Sequence, residues 1–257
     1  MMIRRRRIDR ARTLLASCLM ALFLAPLAGQ PARAACSDAT FEGVGYTVCV
    51  FHPGTDDLRI YHRAPDGAVY GQFSALRNDL AAQGLKMVAA MNGAMYHEDR
   101  RAVGYYVEDG ERKGALVTSA SPGNFGLLPN GVFCLSPEGA AVVETRAFAA
   151  APLPCTYAVQ SGPLLVEDGA LHPRFLPNST SRFIRNGVGV RPDGSIVWAI
   201  TADRINFHGF ARLMRDALGT PDALYIDGKV SRLWAPELGR ADIGFSMGPI
   251  MAVVAPR

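Results

Sequence analysis

Apolar residues recur along this chain in short alternating or unbroken runs cut apart by Gly, Pro and Asp, a pattern of many brief strands rather than long helices. Residues 46–51, 58–63 and 68–73 are three such runs, separated by PGTDD and APDG, and together they predict a β-meander. Residues 74–83 break the alternation. Leu76, Leu80 and Ala81 share a helical face there, and Gly84 ends it. The run LKMVAAM at 85–91 reads as a buried strand leading into Asn92-Gly93. Pairs 103–108 with 113–118 and 132–135 with 141–145 predict hairpins around Asp109-Gly110 and Pro137-Glu138-Gly139, and the Ala/Pro-rich 147–154 predicts a loop. Strands are expected at 157–160 and 164–167, on either side of Ser161-Gly162-Pro163. Another hairpin is expected at 186–190 and 196–201, around Asp193-Gly194.

The segment 206–231, NFHGFARLMRDALGTPDALYIDGKVS, joins a helix, a strand and a carboxylate. Asn206 suits an N-cap, while Phe207, Phe210, Ala211, Met214, Ala217 and Leu218 fall on one helical face before Gly219 and Pro221 stop it. Residues 223–226 carry no charge, as a strand covered on both faces would, and they deliver Asp227-Gly228 to the strand's end. The C-terminal 243–254 predicts an apolar strand pair interrupted at Met247-Gly248-Pro249. Helices come singly between many strands. The fold class is therefore α+β, with mostly antiparallel twisted sheets and a few single helices packed against them.

The N-terminus changes the charge picture. MMIRRRRIDRAR, an apolar TLLASCLMALFLAPLAG and Ala32-Arg33-Ala34 make a signal peptide over 1–34, leaving one domain at 35–257. The apolar run contains Pro26 and is shorter than the roughly 20 residues of a span, and no later segment is long and apolar enough to cross a membrane. A periplasmic or secreted product is expected, the alternative being a lipid anchor at Cys36. Of 27 basic and 23 acidic residues, seven arginines and one aspartate lie in 1–34, so the remaining domain holds 20 against 22. That balance gives no footprint for nucleic acid. Cys36, Cys49, Cys134 and Cys155 remain, an even number that allows three pairings. The sequence-local one, Cys36 with Cys49 and Cys134 with Cys155, closes the most modest loops. No Cys-x-x-Cys occurs, so no metal site is expected there.

Polar clusters follow several apolar strands: Asn92-Gly93, Gln160-Ser161-Gly162-Pro163, Arg185-Asn186-Gly187-Val188-Gly189 and Asp227-Gly228, with Ser231 just beyond. Their glycines would let backbone N–H groups approach a ligand, and their common order predicts one pocket with convergent polar groups. Taken singly, each is a tight turn, as Asp-Gly is elsewhere in the chain. Neither Gly-x-Ser-x-Gly nor His-Glu-x-x-His is present, so Ser161 makes a poor nucleophile and the histidines form no recognisable zinc pair.

MNGAMY, AVQSGPLLVEDG, RNGVGVRPDG and ALYIDGKVS together resemble the phosphodiester glycosidase family, over about residues 87–249. Two departures stand out: Gly93-Ala94 where the family has Gly-Gly, and Asp227-Gly228-Lys229-Val230-Ser231-Arg232 where it has Asp-Gly-Gly-x-Ser-Ser. The resemblance implies an exported hydrolase that cleaves a sugar from a phosphodiester, acting on a glycan or sugar-phosphodiester. Asp227 would be its catalytic carboxylate, Arg185 its phosphate clamp and Asn92 a further catalytic group. Gln160, Ser161, Gly162, Asn124, Asn186, Gly228, Ser231 and His172 would bind substrate. Glu108 and Asp203 are candidates for a second carboxylate. No cofactor is implied, and a divalent ion is left open. The rival class is a non-catalytic envelope module that binds glycans through Trp198, Trp234 and tyrosines.

Overall fold

The computed structural model describes residues 35–227 and 230–257. The expected signal at 1–34, Gly228 and Lys229 lie outside the described residues. The chain begins with β1 (Ala35–Phe41), β2 (Val44–Phe51), β3 (Asp57–Tyr61), α1 (Phe73–Ala82) and β4 (Leu85–Asn92). There follow β5 (Tyr106–Glu108), β6 (Glu111–Gly114), β7 (Gly131–Ser136), β8 (Gly139–Glu144), α2 (Thr145–Ala150) and β9 (Tyr157–Ser161). Next come β10 (Leu164–Glu167), β11 (Ala170–Leu171), β12 (Asn186–Val190), β13 (Ile196–Thr201) and α3 (Phe207–Arg212) with a π-helical turn at Leu213–Ala217. The chain closes with β14 (Asp222–Tyr225), β15 (Leu233–Ala235), β16 (Arg240–Ala241) and β17 (Ile250–Pro256).

These strands form three sheets, ordered β1-β2-β13-β12-β14-β10-β11, β16-β15-β4-β17-β3 and β6-β5-β9-β7-β8. The pairs within them are antiparallel, for example β2 with β13 and β4 with β17. The class is α+β, as the pattern predicts.

Alternation along each strand sorts side chains into one shared core and three outer faces. Trp198, Ile200, Val188 and Leu224 of the first sheet, Ile60, Met91, Leu233 and Met251 of the second, and Phe133, Leu135 and Val159 of the third meet in the central core. On the outer face of the first sheet, Val197, Ala199, Ala223 and Tyr225 lie under Phe210, Ala211, Leu213 and Met214 of the α3 region. On that of the second, Ala90, Ile250 and Ala252 lie under Phe73, Leu76 and Leu80 of α1. Val132, Cys134 and Ala158 of the third meet Phe148 of α2. Each large side chain buried this way contributes about 1.5–3 kcal/mol, which is how three small sheets hold together.

Several local expectations are corrected. Residues 46–51 and 58–63 do not continue as a meander, because β2 pairs with β1 and β13 while β3 pairs with β17 in another sheet. Residues 68–73 are not a strand: Gly71 takes φ 61°, and Phe73 already opens α1. The Ala/Pro-rich stretch begins as helix α2, whose first turn is capped by the Glu144 carboxylate accepting from the backbone N–H groups of Arg146 and Ala147. At the C-terminus β17 stands without a hairpin partner at 243–246, where Ile243 and Phe245 are exposed.

The structure pairs Cys36 with Cys49 across the β1–β2 register and Cys134 with Cys155. Their separations of 13 and 21 residues correspond, on the chain-entropy view, to about 3 kcal/mol each. Reducing both bonds should therefore lower the melting midpoint by about 12–24 °C. Unfolded, unreduced protein of residues 35–257 should show no titratable thiol. A thiol stoichiometry near two would refute one of the pairings.

Candidate active site at the end of β14

Strand ends from all three sheets meet where the chain leaves β14. Asn92 closes β4, Ser161 closes β9 and Asn186 opens β12, and each of the three is fully buried. The two asparagine amides are reciprocal: Asn186 Nδ2 donates to Asn92 Oδ1 at 3.0 Å, and Asn92 Nδ2 donates back to Asn186 Oδ1 at 3.3 Å. Asn186 Nδ2 also reaches the Asp227 carbonyl at 3.4 Å, and Ser161 Oγ donates to the Ile226 carbonyl at 2.9 Å. Buried amides satisfied like this lock one geometry, since any slip would leave a donor or acceptor unpaired.

The far limb of the same turn is held too. Ser231 Oγ donates to the carbonyls of Ile184 and Asp227 at 3.2 and 3.4 Å, and Arg232 N–H donates to Asn92 Oδ1 at 3.0 Å. Asp227 itself is 8 % exposed. Its negative charge is felt by Tyr96 and Tyr225. Burial first, and Asp227 second, raises the Tyr96 hydroxyl. Tyr225 is pushed up to about 12 by burial, with Arg185 opposing and Asp227 adding to the rise. A cleft of about 600 Å³ runs along the turn's far limb, lined by Val230, Ser231, Arg232, Asp242, Gly244 and Phe245.

Residues 85–240 match the family model for phosphodiester glycosidase, a span that includes Asn92, Ser161, Asn186 and Asp227. The chain belongs to the phosphodiester glycosidase family. It is 36% identical over 216 residues to the uncharacterized protein YigE of Escherichia coli (strain K12), covering 84% of this chain and 83% of that one. Its fold is similar to the zebrafish N-acetylglucosamine-1-phosphodiester alpha-N-acetylglucosaminidase catalytic domain auto-inhibited by pro-peptide, with TM-score 0.58 at 12% identity over 85% of this chain and 81% of that one. A hypothetical protein from Synechocystis gives TM-score 0.55 at 12% identity, covering 86% of this chain and 61% of that one.

In this member of the family, several residues expected to touch substrate hold the scaffold instead. The Gln160 amide is consumed: Oε1 accepts from Tyr105 and Val117 N–H at 3.1 and 3.0 Å, and Nε2 donates to the Val117 carbonyl at 2.7 Å and Thr145 Oγ1 at 3.2 Å. Gln160 thus pins the loop flanking β6 rather than lining a pocket with Asp227. Arg185 also departs from expectation. Its Nε donates to the Ile205 carbonyl at 2.8 Å and its Nη2 to the Ser181 carbonyl at 3.0 Å, while its guanidinium stacks 3.6 Å from the Phe207 ring centroid. It is 1 % exposed and sits among the residues of the helix-covered face, so the open clamp on a rim is not what forms.

The glycines of RNGVGV are explained by packing as well. A Cβ on Gly187 would stand 2.9 Å from the Leu224 carbonyl oxygen, and one on Gly189 2.7 Å from Thr220, so these positions let neighbouring segments close on the sheet. Gly162 is likewise pressed by the carbonyls of Phe125 and Asn124, with Asn124 itself exposed. Glu108 is bound by His62 N–H and Lys113, and Asp203 accepts from Gly45 N–H, so neither joins the hydrogen bonds around Asp227. Arg232 and Tyr96 were not singled out in the sequence. Arg232 stands out only as a departure from the family's Ser-Ser, which hinted at a local change without revealing an anchor.

His172 belongs to an aromatic stack, not to the turn. Its ring lies 4.6 Å from Phe175, which lies 5.0 Å from Phe207. Burial holds the His172 imidazole below its ordinary 6.5, and His62 is lowered for the same first cause. The unfolded chain then binds protons near 6.5 that the folded chain takes up only at lower pH, so stability falls as pH drops below about 6.5. His172→Gln should make the decline in melting midpoint between pH 7 and pH 5 shallower than in the parent. Equal slopes would contradict this assignment. Trp198 is fully buried edge-on to Phe51 at 4.5 Å, which removes it as a glycan platform.

Proposed function

We propose that this protein is an extracytoplasmic hydrolase that cleaves the bond between a sugar's anomeric carbon and a phosphodiester, with Asp227 as its catalytic carboxylate. The observation that carries the reading is the convergence of residues from three different sheets on one turn: Ser161 and Asn186 donate to the carbonyls of Ile226 and Asp227, and Asn92 is joined to Asn186 and accepts from Arg232 N–H on the far limb. A carboxylate-bearing turn held from three sides is pre-organised for transition-state charge in a way that an ordinary turn has no need to be. The family and the zebrafish relative's named activity support the reaction class. Two disulfides support an oxidising compartment.

The chemistry needs few groups. Water attacks the anomeric carbon, the C–O bond to phosphorus-bearing oxygen breaks, and the electron pair leaves with the phosphate ester. Such a leaving group is stable as an anion, so no general acid of raised pKa is required, unlike departure of a sugar alcohol. Asp227 offsets the positive charge developing at the sugar and accepts the proton of the attacking water. The cleft beside Ser231 and Arg232 gives the substrate its approach. Incubating the purified protein with sugar-1-phosphodiesters and assaying free reducing sugar together with phosphate monoester tests the proposal. Release of neither product across sugars that differ in ring and 2-substituent would overturn it.

A further inference from the structure

A second cavity, of about 390 Å³, shares no lining residue with the hydrogen bonds around Asp227. Its wall comes from three places: His62 and Arg63 just after β3, the loop bearing Arg101, and the β5–β6 hairpin with Tyr106, Glu108 and Lys113. Two of its lining side chains are deeply buried and unsatisfied. Tyr106 is 2 % exposed and His62 5 %, yet neither the Tyr106 hydroxyl nor His62 Nε2 has a hydrogen-bond partner. The two rings stand edge to face at 6.1 Å, and both residues line the cavity. Native folds keep few such atoms, and a pair of them on one cavity calls for a ligand or a role.

Charge points to the ligand's sign. Arg63, Arg101 and Lys113 line the cavity against a single carboxylate, Glu108, whose oxygens already accept from His62 N–H at 3.0 Å and Lys113 Nζ at 2.9 Å. Arg63 gives one N–H to the Gly67 carbonyl, Arg101 pairs with Asp99, and Lys113 is shared with Glu111. Burial raises the Tyr106 hydroxyl well above its ordinary value and holds the His62 imidazole below its own, so the tyrosine stays an uncharged hydrogen-bond donor. Donors arriving from three chain segments match an acceptor with several oxygens pointing in different directions, which a phosphate group offers and a planar carboxylate does not.

We propose that this cavity binds a phosphate group, with the Tyr106 hydroxyl and His62 Nε2 at its buried end and Lys113, Arg63 and Arg101 around it. The site is separate from the reaction assigned to Asp227, and its test needs no turnover. Inorganic phosphate is titrated calorimetrically into the parent, Tyr106→Phe and Lys113→Met, with acetate as the planar comparison, while the ¹⁵N signals of labelled histidine are followed. Phosphate should bind saturably, shift the His62 signal, and bind about tenfold more weakly to each variant, a change of about 1.4 kcal/mol. Tyr106→Phe removes only the hydroxyl, and a thermal melt without phosphate checks that the variant folds. Lys113 is 42% exposed and its replacement leaves the core untouched, so that variant decides the matter even where Tyr106→Phe folds poorly. Absence of saturable binding, an unmoved His62 signal, unchanged affinity in Lys113→Met, or acetate binding as tightly as phosphate would each overturn the proposal.

Discussion

Asp227→Asn should lower kcat on a sugar-1-phosphodiester by about a hundredfold or more while leaving KM and the melting midpoint close to those of the parent. The loss is of the size associated with a positioned acid-base or charge-stabilising group. The hydrogen bonds that Asn186 Nδ2 and Ser231 Oγ donate to this turn end on the Asp227 backbone carbonyl, which the substitution leaves in place. Asparagine preserves the size and polarity of the side chain, so the charge is what is removed. Steady-state kinetics and a thermal melt on the same preparation separate the two effects. Near-parental turnover on every phosphodiester that the parent cleaves would reduce Asp227-Gly228 to a turn like Asp109-Gly110 and Asp168-Gly169, where positive φ at both residues makes plain hairpin bends.

What the sequence made legible was local. The Asn206 cap is real, its side chain accepting from Gly209 N–H at 2.8 Å, and the apolar face after it covers a sheet as its spacing requires. Even there a π turn at Leu213–Ala217 intrudes and brings Leu213 into the core, a shift that helical periodicity does not encode. The assembly of three sheets was not legible, because it depends on partners far apart in the chain, such as Val50 opposite Val197 and Ala90 opposite Trp234. The same distance hid the roles of the site residues. A strand-end asparagine or glutamine advertises hydrogen-bonding capacity, but whether that capacity meets a ligand or another strand is decided only by what folds against it. Asn92 met Asn186, and Gln160 met Tyr105 and Val117. Asp227 stands out in the sequence as a carboxylate after an uncharged strand, and the kinetics of Asp227→Asn test the role proposed for it.

Arg185→Lys should lower the melting midpoint by about 6–12 °C, corresponding to about 3 kcal/mol in a domain of this size. The reason lies in what the guanidinium touches. Nε and Nη2 bind two carbonyls on different segments, Ile205 and Ser181, and the planar face lies against Phe207 with Tyr225 at 5.4 Å. A lysine ammonium keeps the charge but has neither the two-pronged geometry nor the flat face, and at this depth it would stand desolvated. Burial already depresses the Arg185 guanidinium below its ordinary value, the first cause being desolvation. Kinetics on two substrates then decide between positioning and direct contact. If Arg185 acts by fixing Tyr225 and the start of β12, activity below the melt should fall by a similar factor on a sugar-1-phosphodiester and on an aryl glycoside of the same sugar. A selective loss on the phosphodiester, with the melting midpoint unchanged, would instead mean that the guanidinium turns from its carbonyls to clamp phosphate, and the positioning account would fail.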